Sequence, residues 1–408
     1  MSQSFDIVIV GGGMVGASLA TALAPLPLRI AVVEAWPVSS AVQPSYDDRS
    51  TAVAEGSRRI FDAVGCWSLI EPDATPIRRI HVSDQGQFGF TRLDCREYGM
   101  KALGYVVENR SLGAALWSAL QDRHNVLIIS PAKVASVEAS DEAVRLIVQR
   151  EGEEPLDLEA SLMVGADGAQ SGVRKALGLG EVVREYDQEA LIANVTASRS
   201  HECQAFERFT PNGPLALLPM SDNRCSLVWT LDPENAAELE TADDSTFLGR
   251  LQAAFGYRLG RFVRVGRRGR YPLRLVRARH QTAHRAVLIG NAAHSIHPVA
   301  GQGFNLGLRD VAALADVLAD AVSAGGDPGG PALLEQYLAW REGDQRQVAV
   351  MTDSLVRLFT NPLAPVKAAR RLGLLGLDLT PRAKEAVVHQ GMGLRGRLPR
   401  LARGIPLS

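Results

Sequence analysis

Three glycine-bearing clusters carry the chemistry that this sequence offers. The first is Gly11-Gly12-Gly13-Met14-Val15-Gly16, a G-x-G-x-x-G run in which Gly11 permits a tight turn, Gly13 lets a pyrophosphate approach the backbone, and Gly16 lets a following helix pack closely. Glu34 follows about twenty residues on, where an acid takes ribose hydroxyls and disfavours a 2′-phosphate. The second is Gly165-Ala166-Asp167-Gly168, followed by Ser171, Val173 and Arg174. Asp167 and Gly168 read as a turn with a function, although Asp-Gly is also among the commonest turn dipeptides. The third is Gly290-Asn291-Ala292-Ala293-His294, continued by His297-Pro298-Val299-Ala300-Gly301-Gln302-Gly303-Phe304-Asn305. A glycine-rich bend feeding a helix N-terminus presents free N–H groups to an anion or a carbonyl.

Elements of the right type stand beside each cluster. Phe5 to Val10, Arg29 to Val33, Ala160 to Val164 and Ala286 to Ile289 are short apolar runs of the kind buried in parallel sheets. A long amphipathic pattern from Leu306 to Val322 predicts a helix behind the third cluster. Glycine alone can serve turn geometry, but strand, glycines, helix, strand and acid together point to a dinucleotide, without distinguishing NAD from FAD. Between the clusters, Gln204 to Phe209, Leu215 to Leu218 and Arg224 to Leu231 alternate as strands of an antiparallel sheet, with turns at Pro211-Asn212-Gly213 and Ser221-Asp222-Asn223. Gly325 to Pro331 is a break, and Leu333 to Leu358 a further helical pattern.

Composition excludes several classes. With 408 residues the chain has room for two or three packed units. Its 44 basic and 45 acidic residues nearly cancel, so no bulk attraction to nucleic acid is expected. Cys66, Cys95, Cys203 and Cys225 are scattered, which suggests neither a disulfide framework nor a zinc cluster and fits a reducing cytoplasm. The apolar stretch Ile7 to Val33 is interrupted by glycines and prolines and preceded by Asp6, so no transmembrane helix is expected. From Asn361 onward nine Lys/Arg face two Asp/Glu. That basic, leucine-bearing segment reads either as a helical cap with a solvated face or as a surface for anionic membrane.

The three clusters, in this order and covering nearly the whole length, resemble those of the class A flavoprotein monooxygenases, the family of p-hydroxybenzoate hydroxylase. Within it the chain is most similar to the ubiquinone-biosynthesis hydroxylases of the 2-polyprenyl-6-methoxyphenol type, on the run from His297 to Asp310 and on Asn291, where the wider family has an aspartate. The resemblance implies an α/β fold (α+β overall): a Rossmann-like FAD-binding domain assembled from 1–75, 100–180 and 275–350, an antiparallel-sheet substrate domain from 76–99 and 181–274, and C-terminal helices over 351–408. It implies bound FAD held by Gly11, Gly13, Gly16, Glu34, Arg49, Asn109, Asp167, Gly290, Asn291, Gly301, Gln302, Gly303 and Asn305. It further implies NAD(P)H as a transient reductant, O2 as co-substrate and a flavin hydroperoxide as oxygen donor. A polyprenylated phenol is the implied substrate, with possible peripheral membrane contact or assembly with other ubiquinone-biosynthesis proteins.

The same resemblance places the backbone carbonyl of Pro298 beside the reacting ring. His297 stands next to it as a candidate proton relay, because an unperturbed imidazole titrates near neutrality; a purely structural role for this histidine is the alternative. Other readings are weaker on the residues. The pairs His280/His284 and His294/His297 form no facial triad for iron, and Trp229 stands alone where a flavin halogenase would carry a Trp-x-Trp-x-Ile-Pro element. A flavin-dependent prenyl reductase, a hydroxylase of another ring position or phenol, and a non-catalytic prenyl-binding protein remain as alternatives on the same scaffold.

Overall fold

Buried β-branched runs build the first sheet. In Gln3–Val10 the residues Ile7, Val8 and Ile9 are fully buried, as both faces of a parallel strand require. The computed structural model describes residues 3–38, 49–86, 89–296, 301–361 and 363–407. Gln3–Val10 pairs in parallel with Ile30–Val33 on one side and Leu156–Gly165 on the other. Val126–Ile129 and Ala286–Leu288 extend the parallel order outward. Helices Met14–Leu23, Asn109–Gln121 and Gln302–Ser323 cover one face, sharing a core of Leu19, Leu23, Leu112, Leu116, Leu308 and Val311. Antiparallel strands Lys133–Ala139 and Val144–Gln149 fold against the other face through Val144, Leu146 and Val148.

A second eight-stranded sheet stands apart from the first in its pairing. Its spine is two strands of 17 residues, Glu181–Ala197 and Phe262–Ala278, paired antiparallel. Arg224–Leu231, Gly213–Pro219 and Gln204–Thr210 continue it by antiparallel pairing, while Arg79–Asp84 joins Gln204–Thr210 in parallel. One face of this sheet packs on helices Pro233–Thr241 and Asp244–Phe255 through Leu217, Leu227, Trp229, Phe247 and Phe255. A small three-stranded sheet of Ser50–Ala54, Thr75–Ile77 and Gly104–Glu108 lies beside the first helix layer.

The chain closes with helices Pro331–Thr360, Ala364–Leu379 and Pro381–Gly391. The second of them is anchored to the second sheet: the Thr91 hydroxyl donates to the Leu374 carbonyl at 2.7 Å and Arg370 Nε to Asp84 Oδ2 at 2.8 Å. All four cysteines are free thiols. Among the described residues no helix is long and apolar enough to cross a membrane.

Candidate functional site

Strand register gathers the site. Val10 is level with Gly165, and Gly165 with Leu288, so the three glycine clusters emerge side by side from the carboxyl ends of three adjacent strands. Open α/β sheets bind ligands at such strand ends. Gly11 adopts φ +103°, and a Cβ on it would lie 2.6 Å from the Ala166 carbonyl oxygen. A Cβ on Gly16 would lie 1.8 Å from the Gly11 carbonyl oxygen, so helix and loop approach to a distance only glycine permits. Gly13 is the N-cap of Met14–Leu23 and has no side-chain cap, leaving the first-turn N–H groups for an anion.

Glu34 closes this loop from the end of the second strand. Its carboxylate accepts from the Gly12 N–H at 2.6 Å and the Trp36 N–H at 2.9 Å. Burial raises its pKa, and those backbone donors pull against the rise. Arg49 and Asn109, distant in sequence, meet through the Asn109 N–H donating to the Arg49 carbonyl at 2.8 Å. The Asn109 side chain takes a hydrogen bond from Thr51 at 2.7 Å, and the Arg49 guanidinium lies 4.9 Å from the centroid of the Tyr271 ring on the second sheet.

Asp167 spends both oxygens on its own loop, accepting from the Ser171 hydroxyl at 2.5 Å and the Val173 N–H at 3.0 Å. Arg174, buried, ties the second cluster to the third by donating to the Ala292 carbonyl at 2.8 Å and the Ala169 carbonyl at 2.7 Å, and it pairs with Glu181. In the third cluster Gly290 has φ +57°, and its Cα stands where a Cβ would press on Val15 at 3.0 Å. Asn291 is exposed. Gly301, at φ +60°, caps Gln302–Ser323. Asn305 then locks the start of that helix: Nδ2 donates to the Ala52 carbonyl at 2.8 Å and the Gly301 carbonyl at 2.7 Å, while Oδ1 accepts from the Ala54 N–H at 2.8 Å. Gln302 donates to the Gly391 carbonyl at 3.1 Å, and Gly303 has its nearest outside neighbour in Ile296, 3.9 Å from a built Cβ. His297 and Pro298 lie outside the described residues.

Two features were not legible as site residues from sequence. Asp310, fully buried, is the hub beneath the third cluster: Oδ2 accepts from the Gly290 N–H at 3.1 Å and bonds His294 Nε2 at 2.5 Å, and Oδ1 accepts from Arg341 Nε and Gln345 Nε2 at 2.9 Å each. Burial alone would raise its pKa, but the pull of His294 and Arg341 and the hydrogen bonds from His294 and Gln345 hold it well below the usual carboxylate range. The other is Glu207, between Ala205 and Phe209 on the strand face opposite Phe206. Ala205 packs with Ile77, Val106, Met220, Ala52 and Leu218, and Phe209 with Leu374, Val82 and Leu355. Burial in that apolar setting, with nothing offsetting it, pushes the Glu207 carboxyl up to about 7. Among the described residues no group of three or more metal-ligating side chains gathers.

The chain belongs to the family described as FAD binding domain, whose profile matches residues 4–352, and it is an FAD-dependent monooxygenase. It is 39% identical to the ubiquinone hydroxylase UbiL of Rhodospirillum rubrum, over 98% of this chain and 93% of that protein. It is 33% identical to the 3-demethoxyubiquinol 3-hydroxylase of Escherichia coli, over 96% of this chain and all of that protein. The crystal structure of p-nitrophenol 4-monooxygenase PnpA from Pseudomonas putida shares the fold, with a TM-score of 0.81 at 20% identity, covering 97% of this chain and all of that one. The residues present fit the cofactor: Gly13 at the uncapped start of Met14–Leu23 leaves first-turn N–H groups for its pyrophosphate, and buried Glu34 closes the loop.

Proposed function

We propose that this enzyme hydroxylates the ring of a polyprenylated phenol in ubiquinone biosynthesis, of the 2-polyprenyl-6-methoxyphenol hydroxylase type, using NAD(P)H and O2. The observation that carries the proposal is the joining of two surfaces by one strand. Ser50–Ala54 is hydrogen-bonded to the start of the helix Gln302–Ser323 through Asn305 and packed against the second sheet through Ala52. A ring gripped by the first surface is thereby covered by the second, where Ala205, Leu218 and Met220 pack with Ala52, and Phe209 with Val82 and Leu374. The names of the relatives, a ubiquinone hydroxylase and a 3-demethoxyubiquinol 3-hydroxylase, support a substrate of that class.

In this reading Gly11, Gly13 and Gly16 hold the pyrophosphate, Glu34 the ribose, and Arg49, Asn109, Gly290 and Asn291 the remaining polar length of FAD; Asp167 shapes the loop beside them. FAD held there would supply the oxygen-activating redox chemistry, with NAD(P)H as its transient reductant. The protein supplies alignment and dryness. N–H groups of Gly301, Gln302 and Gly303 face developing negative charge, with Asn305 fixing the loop. The Pro298 carbonyl accepts the phenol O–H, and His297 relays the phenol proton. An apolar cover excludes water from the reacting atoms. The prenyl tail lies toward the C-terminal helices, where Leu363, Leu372, Leu375 and Leu379 are exposed and give the enzyme a peripheral seat on the inner face of the membrane.

One assay tests this reading. FAD-loaded enzyme should oxidise NAD(P)H in a substrate-dependent way and yield a product heavier by one oxygen, faster when the phenol is presented in anionic vesicles. His297→Asn should shift the pH dependence of hydroxylation and uncouple NAD(P)H oxidation from it. A colourless protein that takes up no FAD, or phenol-independent oxidation alone, overturns the proposal.

A further inference from the structure

About two turns along the helix from Gln302, Arg309 enters a separate cavity of about 270 Å³, walled by Pro331–Thr360 and by residues 390–402. Two guanidiniums form its floor. Arg309 is 8% exposed and Arg341 4% exposed. Asp344 lies between them, accepting from Nη1 of Arg309 at 2.8 Å and from Nη1 of Arg341 at 2.7 Å, while Arg341 Nε is taken by Asp310 at 2.9 Å. This leaves Nε and Nη2 of Arg309 and Nη2 of Arg341 buried with no partner.

Nε and Nη2 form one edge of a guanidinium, the edge that grips an oxyanion through two parallel hydrogen bonds. At the mouth stand Arg395 and Arg397, both exposed. Arg397 is stacked 3.9 Å from the centroid of the Trp340 ring, whose Nε1 donates to the Arg397 carbonyl at 3.0 Å. Among the described residues Asp344 is the only carboxylate in the lining, against four guanidiniums; Asp310, behind Arg341, is already committed to His294 and Gln345. Burial lowers the pKa of Arg309, Asp344 pulls it back, and the charge of Arg341 presses it down again. Buried cationic donors without acceptors are costly, and native proteins match them with an anion or water.

We propose that this cavity binds a phosphate-class oxyanion, gripped by the Nε/Nη2 edge of Arg309 and by Nη2 of Arg341, with Arg395 and Arg397 closing the mouth. Donors converging from two guanidiniums suit a tetrahedral group with several acceptor oxygens. Occupancy fastens the C-terminal segment to the helix that begins at the flavin site. Gly393 is already close enough that a Cβ there would touch Arg309 Cδ at 3.4 Å, Gln302 reaches the Gly391 carbonyl at 3.1 Å, and the Gly56 N–H reaches the Met392 carbonyl at 3.0 Å.

The test is thermal unfolding of the FAD-loaded enzyme titrated with inorganic phosphate against sodium chloride at matched ionic strength. Phosphate should give a saturable rise in Tm of about 3 °C that chloride does not, together with reduced proteolysis of residues 390–402. Glycerol 3-phosphate and a short-chain phosphatidate, run in parallel, separate a free phosphate from a lipid headgroup as the source. Arg309→Met should abolish the shift. Should that variant fail to fold, the double variant Arg395→Gln with Arg397→Gln, at exposed positions, should retain its Tm in chloride and weaken phosphate binding at least tenfold. Equal responses to phosphate and chloride, or a phosphate response that survives the mouth substitutions undiminished, overturns the site.

Discussion

Two carboxyls with opposite surroundings divide this molecule. Asp310, beneath the cofactor loops, takes hydrogen bonds from four groups and is held well below the usual carboxylate range. Glu207, on the second sheet, has no charge or hydrogen bond offsetting its desolvation and is pushed up to about 7. The first environment fixes a charge in order to hold backbone: Asp310 orders Gly290 and His294 on one side and Arg341 and Gln345 on the other, so the third glycine cluster rests on a carboxylate bonded on both oxygens. The second keeps a carboxyl neutral below about pH 7. The same residue chemistry thus holds a fixed charge where donors converge on it and a neutral group where packing leaves burial unopposed.

Breaking the first environment should have the largest effect. Asp310→Ala takes from buried Arg341 one of its two carboxylate partners and removes the anchor of Gly290, and is expected to cost about 4 kcal/mol, read as a lower denaturation midpoint together with loss of bound FAD. If unfolding free energy and flavin content both hold, the cluster is not the foundation of the loop. Glu207→Gln sharpens the other side. A carboxyl whose folded pKa lies above its unfolded value contributes stability that is full below about pH 4.5 and is lost as pH rises through about 7. Removing it should abolish up to roughly 3 kcal/mol of decline between pH 5 and 8, seen by urea titration across that range.

A smaller effect is expected at His81, which lies between Phe90 and Phe206 with both ring nitrogens buried and unpartnered. Burial, aided by the charges of Arg258, Arg92 and Arg208, lowers its pKa to about 4. Here the sign reverses: the stability is full above pH 6.5 and is lost as pH falls toward 4. His81→Phe should flatten that acid limb by about 1–2 kcal/mol between pH 6.5 and 5, measured by the same titration. An unchanged acid limb would mean that water or a rotated ring solvates the imidazole.

Much of the cofactor side was legible because it is local. The run Gly11 to Gly16 predicts its own turn and helix, and the structure shows Met14–Leu23 starting where the third glycine ends. The helix predicted over Leu306 to Val322 spans Gln302–Ser323, four residues earlier, since the glycine-containing first turn carries no apolar period to announce it. The alternating strands around Pro211-Asn212-Gly213 and Ser221-Asp222-Asn223 form as expected. The 17-residue pair Glu181–Ala197 and Phe262–Ala278 did not show itself, because arginines and glutamates line much of its exposed length and mask the period of two. Asp167, expected to face the cofactor, also accepts from Ser171 and Val173 within its own loop, a short-range contact that Asp-Gly turns favour.

By itself the sequence determined that a dinucleotide cradle exists and where its three glycine bends lie along the chain, since glycine requirements and apolar periods are properties of neighbouring residues. It also carried the family, because three such bends in order are far more specific than one. Only the tertiary structure decided that the bends share one sheet edge, that Asn305 joins helix to strand, and that Arg309 and Arg341 converge on a common cavity. Those relations join residues tens to hundreds of positions apart. Whether a carboxyl or guanidinium is paired, neutral or poised for a ligand is set by the burial and donors that packing brings to it, and no local pattern encodes that.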